Sequence, residues 1–254
     1  MTAPDRPPRS RSVVTDPWVA LRRLTPARIA LGRAGASLPT GEVLRFGLAH
    51  ALARDAVHEP LNARALENAL RDGGFEALRV HSAASDRQTF LLRPNLGRRL
   101  SEESRESLRQ RAGAPVDLCF VAADGLSAAA VHKHAVPLLQ ALRAEGRARW
   151  SSAPVVIAEQ SRVALGDEIG ELLQARLVAL LIGERPGLSS PDSLGAYLTY
   201  EPRVGRNDSE RDCVSNIRPE ALDYLEAARR IASLIEAAFR SRATGVGARA
   251  LVSS

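Results

Sequence analysis

The sequence predicts an α/β protein in which a mostly parallel sheet is flanked by helices and preceded by a small helical region. Three observations carry that expectation. The run Leu177-Val178-Ala179-Leu180-Leu181-Ile182 is unbroken and apolar, as a strand buried on both faces of a parallel sheet must be. A second run, Val116 to Val121, has the same character. From residue 116 onward, strand-like stretches alternate with stretches of helical spacing, which is the order of βαβ units.

Met1 to Thr15 is rich in Pro and Arg with almost no apolar residues, so residues 1–15 are expected to be a disordered tail. A helical region is expected over 16–74. Thr25-Pro26 reads as an N-cap followed by proline at the first helical position, with Gly32 as the stop. Thr40 opens a second helix, whose Val43, Leu44, Leu48, Ala51 and Leu52 recur at helical spacing. Asn62 caps a third that carries Leu66 and Leu70 and ends at Gly73-Gly74.

An α/β domain is expected over 75–254. Leu78-Arg79-Val80 and Phe90-Leu91-Leu92 read as short strands around an Asp86-Arg87 turn. Ser101 caps a polar helix reaching about Gln110. Strands follow at 116–121, 154–158, 177–182 and 196–200, with helices from Ser127 to about Glu145, over 167–174, and from Pro219 to about Arg240.

The bulk properties narrow the function classes. A chain of 254 residues, 45% hydrophobic and 25% charged, buries a real core and is neither disordered nor membranous in composition. No apolar run approaches the roughly 20 residues of a membrane span, and Met1 to Val14 has no apolar core of a secretory signal, so a cytoplasmic location is expected. Two cysteines, Cys119 and Cys213, make no disulfide framework. The net charge of +6 suggests a basic nucleic-acid-binding module as an alternative. That reading needs aromatics among the arginines, whereas aromatics are only 4% and the arginines are spread along the chain.

Two turns at expected strand exits invite a ligand. In open α/β sheets the ligand crevice lies beyond the carboxyl ends of the strands. Gly183-Glu184-Arg185-Pro186-Gly187 follows the 177–182 run, and Asp124-Gly125-Leu126-Ser127 follows the 116–121 run and opens a helix. Each is also explained by turn chemistry alone. No phosphate-binding loop, dinucleotide fingerprint or GxSxG elbow occurs. His50, His58, His81, His132 and His134 have no metal-ligand spacing, so no metal site is expected. No self-sufficient catalytic constellation is visible, and no catalytic residue is assigned. Cys213, in Asp212-Cys213-Val214-Ser215-Asn216-Ile217, sits in a short polar segment where a lone thiol is more often packing than nucleophile.

Several separated motifs, in one order, resemble the light (small) chain of ethanolamine ammonia-lyase. They are Thr25-Pro26-Ala27-Arg28 through Gly35, Leu44-Arg45-Phe46 with His50, Arg54-Asp55-Ala56-Val57, Leu92-Arg93-Pro94, and Gly97-Arg98-Arg99-Leu100. Asp124-Gly125-Leu126-Ser127, Gly183 to Leu188, Ser193-Leu194, and Cys213 with Ser215-Asn216-Ile217 continue the series. The resemblance covers about residues 18 to 245.

It implies a Rossmann-like domain and the subunit of an adenosylcobalamin-dependent lyase that converts ethanolamine to acetaldehyde and ammonia by a radical mechanism. It further implies a TIM-barrel heavy chain by which ethanolamine is mainly bound, cobalamin held between the two chains, and heavy–light pairs gathered into a larger hetero-oligomer. Carried over residue by residue, it puts light-chain cobalamin contacts at Val163, Glu184 and Cys213. The chain lacks the Asp-x-His-x-x-Gly motif whose histidine replaces the cofactor's own base, which implies that the base stays on the cobalt. Light chains packaged in a bacterial microcompartment often begin with an amphipathic helix. The Pro/Arg-rich start cannot form one, so free cytoplasmic enzyme is expected.

Overall fold

A computed structural model of the chain describes residues 13–145 and 155–252. Most of the tail expected over 1–15 falls outside those residues. Val14 does not belong to a free tail: it forms an antiparallel bridge with Arg33, with N–H···O distances of 2.7 and 3.0 Å. The structure divides into two compact units, one ending at Arg54 and including Gly187–Ser190, the other comprising Asp55–Pro186 and Pro191–Ser254.

Within the first unit, a 3₁₀ turn at Val19–Arg23 precedes irregular backbone. The helix expected at Thr25-Pro26 is absent. Thr25 Oγ1 instead accepts the N–H of Ala27 and closes a local turn, and Ala30 is left-handed at φ 50°, which interrupts any helix. Helix α1 is Thr40–His58, whose residues from Asp55 onward are counted with the second unit. Arg28 reaches from the irregular segment to the carbonyl of Leu188 at 3.1 Å and lies 5.8 Å over the ring of Phe46.

In the second unit, α2 (Ala63–Asp72) begins where expected, with the Asn62 side chain accepting from Ala65 N–H. Strand β1 (Ala77–His81) follows. The next segment is a correction: Phe90-Leu91-Leu92 is not a strand but the end of helix α3 (Arg87–Leu92). Asp86, read as a turn residue, is its N-cap, taking Thr89 N–H at 2.8 Å, and a three-residue apolar run cannot distinguish the two states. Then come α4 (Glu102–Arg111, capped by Ser101), β2 (Val116–Ala123), α5 (Ala128–Ala144, capped by Ser127), β3 (Val155–Glu159) and α6 (Leu165–Leu172). The chain continues through β4 (Ala175–Gly183), β5 (Leu194–Tyr200), β6 (Asp212–Ile217), α7 (Tyr224–Ser241) and α8 (Gly245–Val252).

The six strands form one sheet in the order β1-β3-β2-β4-β5-β6. The first four are mutually parallel, and β5 and β6 extend the sheet antiparallel. A mixed, mostly parallel α/β sheet flanked by helices is therefore what the sequence builds, with a Rossmann-like core. Each buried strand divides its side chains between two apolar cores. Leu118, Phe120, Leu177 and Ala179 pack under α2, α5 and α7, while Cys119, Val121, Val178 and Leu180 pack under α4 and α6. The switch in strand order puts β2 between β3 and β4, so the exits of these three strands come together at one edge. Among the described residues no helix is long and apolar enough to cross a membrane.

Candidate functional site

The edge where β2, β3 and β4 end is tightly built. Gly125 is left-handed at φ 53°, and a Cβ there would lie 2.3 Å from the Gly183 carbonyl oxygen. A Cβ on Gly183 would lie 2.0 Å from the Ser127 carbonyl oxygen. Only glycine permits this approach, and it lets Leu126 N–H donate to Gly183 O at 2.9 Å. Asp124, fully buried, sits at the same junction. Burial pushes its carboxyl up to about 6, against the lowering contributed by the Ser161 N–H, the Arg87 guanidinium and the Gln160 N–H.

A cavity of about 400 Å³ opens beyond these strand ends. Val163 and Ile182 give it apolar wall, Arg162 and Arg185 give it cations, and Glu184 and Tyr197 complete the polar rim. Glu184 is held from two sides. Its Oε2 accepts from Ser193 Oγ at 2.7 Å, and the Asn216 N–H lies 3.2 Å from each carboxylate oxygen. Asn216 is itself left-handed at φ 59°. Gly195 makes room, since a Cβ there would lie 2.9 Å from Glu184 Oε1. Glu184 thus links the exits of β4 and β6 to the start of β5.

Of the residues singled out in the sequence, Val163 and Glu184 share this cavity. Cys213 does not line it. It stands directly across from Tyr197 in the β5–β6 register, exposed, and lines a neighbouring groove with Ser215, Leu222 and Arg230. Tyr197 is the link between the two and was not singled out. Its signal lay in the expected 196–200 strand, but the partner strand β6 was not recognised. Burial pushes the Tyr197 hydroxyl up to about 12, helped by Cys213 beside it. On the face bearing Val214, α7 packs over this end of the sheet. On the other face, Tyr197 is half-buried, and Cys213 and Ser215 are exposed.

The two thiols differ sharply. Cys119 is fully buried, and burial pushes its thiol up to about 12. Cys213 is raised too, chiefly by burial of its sulfur, with the Tyr197 hydrogen bond opposing, but its side chain is reachable. Titration of the native chain with an aromatic disulfide should therefore modify one thiol, slowly at pH 7 and faster as pH rises, because the thiolate is the nucleophile. The second thiol should appear only on denaturation. Two thiols reacting at equal rates in the native chain would contradict the assignment.

Among the described residues no cluster of three or more His, Cys, Asp or Glu is arranged to hold a metal ion. The cavity's rim offers apolar wall, one fixed carboxylate, a phenol and two guanidinium groups.

Comparison with known proteins places this chain in a family. The family model described as ethanolamine ammonia-lyase light chain (EutC) matches residues 15–249. The ethanolamine ammonia-lyase small subunit of Xanthomonas campestris pv. campestris is 55% identical over 250 residues, covering 97% of this chain and 90% of the relative. That of Pseudomonas fluorescens SBW25 is 54% identical over 244 residues, covering 94% and 88%, and that of Ralstonia nicotianae is 54% identical over 242 residues, covering 92% and 88%. The chain belongs to the ethanolamine ammonia-lyase light-chain family.

Proposed function

We propose that the chain is the light subunit of an adenosylcobalamin-dependent ethanolamine ammonia-lyase, working with a heavy chain that carries most of the ethanolamine site. The observation that best supports this reading is the ligand edge itself. It is one-sided: a cavity of about 400 Å³ continues into a strip of sheet where Tyr197 is half-buried and Cys213 exposed. A corrin is a broad macrocycle, far too large for such a cavity to enclose. A chain built this way covers one part of the cofactor and leaves the rest to a partner, as the name of a small subunit suggests.

The residues fit the group. Val163 and Ile182 offer apolar contact to a macrocycle edge. Corrin side chains end in amides, and Glu184 has spare acceptor capacity beyond its bonds to Ser193 and Asn216. The exposed Cys213 side of β6 adds packing surface, with no covalent part. When bound, the cofactor supplies homolysis of its cobalt–carbon bond and a radical that abstracts a substrate hydrogen. This chain's share is to orient and to exclude water. The fixed Glu184 carboxylate sets the position of an amide arm, and the packed exits of β2 and β4 keep solvent from entering behind it.

The test is ammonia release from ethanolamine by the chain mixed with its heavy chain, omitting each chain and adenosylcobalamin in turn. Activity should require all three. A hydrogen bond to a charged acceptor is worth roughly 1.5–3 kcal/mol, so Glu184→Ala should weaken cobalamin retention by about tenfold or more. Activity from the heavy chain alone, or two chains that fail to co-elute, would reject the reading.

A further inference from the structure

Asp124 is a buried carboxylate that the functional reading leaves unused, yet it is among the most heavily engaged side chains of the molecule. Its Oδ1 accepts the N–H of Ser161 at 2.8 Å, and its Oδ2 accepts the N–H of Gln160 at 2.9 Å. Gln160 is held left-handed at φ 55°, a conformation that costs a residue with a Cβ and persists only where its surroundings over-determine it. Arg87 completes the arrangement. Its Nη1 donates to Asp124 Oδ2 at 3.2 Å and to Gly125 O at 2.8 Å, and its Nε to Val57 O at 2.7 Å. Its guanidinium lies 4.9 Å from the centre of the Phe90 ring, and Arg162 lies 4.2 Å from that same centre. Arg162 N–H donates to Gly97 O at 2.8 Å. Gln160 and Ser161 are therefore fastened by their N–H groups to the exit of β2, which is itself closed onto the exit of β4, and the next residue, Arg162, is fastened to Gly97.

We infer that Asp124, with Arg87, is a positioning residue that fixes the Gln160–Val163 turn so that Val163 and Glu184 face one ligand at a set separation. The inference rests on the functional reading for the identity of that ligand, but the clamp itself is defined by this chain alone. Two features argue for a positioning part beyond plain stability. Among the described residues Arg87 is the side chain that bonds this carboxylate; its other bonds come from backbone N–H groups, those of Gln160 and Ser161 at the start of the turn whose Arg162 and Val163 line the cavity, and that of Gly125. An apolar residue in its place would leave two buried N–H groups unpaired, and asparagine would set an NH₂ donor against one of them.

Asp124→Asn and Arg87→Gln light chains, each assembled with wild-type heavy chain, decide the matter by two readouts. Equilibrium titration with hydroxocobalamin, followed by absorbance, should give dissociation constants raised about tenfold or more, as loss of the groups that orient a ligand contact typically does. The Michaelis constant for ethanolamine should stay unchanged. Amide hydrogen exchange on the free light chains should quicken at residues 161–165 and stay unchanged in α7. A purely structural carboxylate would lower the yield of complex but leave the affinity of what assembles as in wild type, and that result would overturn the inference. Faster exchange with unaltered cobalamin affinity would overturn it too, while the functional reading stood. Wild-type complex that takes up no cobalamin would remove the reading and the ligand part of the inference, leaving the exchange data to decide the clamp. If Asp124→Asn does not fold, Arg87→Gln carries the same test with the carboxylate in place; failure of both to fold would assign the pair to the core and overturn the inference.

Discussion

Gly183→Ala should cost the folded chain about 3 kcal/mol or more, because the new methyl has nowhere to go. Its carbon would lie 2.0 Å from the Ser127 carbonyl oxygen and 2.6 Å from that of Asp124, and both obstacles are backbone atoms of a turn already closed on Gly183. Relief requires moving the exits of β2 and β4 apart, which breaks the bond from Leu126 N–H to Gly183 O. Overpacking of side chains alone costs about 1–3 kcal/mol, and backbone has less freedom to yield. For a chain of this size that corresponds to a fall on the order of 10 °C in Tm. Gly113→Ala is the matched control, since a Cβ there meets nothing within 4 Å, and it should leave Tm nearly unchanged. Equal melting of the two variants would show that the strand exits are not in contact as described.

Asp167→Ala should be comparably damaging for a different reason. Arg211 and Asp167 form a two-pronged pair at 2.6 and 2.7 Å, with both side chains only 2% exposed. Arg211 also donates to Thr199 Oγ1 at 2.8 Å and to Arg206 O at 3.1 Å. The pair joins the start of α6 to β5 and to the residue preceding β6. Removing Asp167 leaves the buried Arg211 guanidinium with the exposed Asp208, 3.5 Å from its Nε, as its ion-pair partner, and breaking a buried pair in this way costs about 3–5 kcal/mol. Arg211→Met should cost a similar amount, and the double variant should cost less than the sum of the two, because neither charge is then stranded. Urea denaturation of the four proteins reads this directly. A single variant losing less than about 1 kcal/mol would refute the buried-pair account.

The fold was legible where burial is two-sided. The runs at 116–121 and 177–182 are apolar without interruption because both faces of β2 and β4 are covered, and the caps at Asn62, Ser101 and Ser127 each bind the N–H groups that their side chains advertise. β6 escaped notice because only Val214 and Ile217 are buried, with Cys213, Ser215 and Asn216 exposed; such a strand has neither an apolar run nor a clean alternation. α3 was misread because six residues are too few to display a helical period.

The site was legible in part. The exits after residues 123 and 183 announce themselves by their glycines, which is how Glu184 is found. The acid in Asp124-Gly125-Leu126-Ser127 looked like ordinary turn chemistry, because its partners lie far off in sequence: Arg87 is 37 residues before it and Ser161 is 37 residues after. Tyr197 has no sequence signature beyond being a strand residue. Its importance arises only once β6 sets Cys213 opposite it.

The junction at Asp124 also constrains the order of events in folding. Its parts come from three strand ends that are distant in the chain and adjacent only because β3 and β4 settle on opposite sides of β2. Contacts of such long sequence separation form late and slowly. The cavity wall at Val163 and the carboxylate at Glu184 therefore acquire their common geometry only when the parallel core is complete. Any ligand that contacted both would therefore distinguish the finished core from a partly folded one.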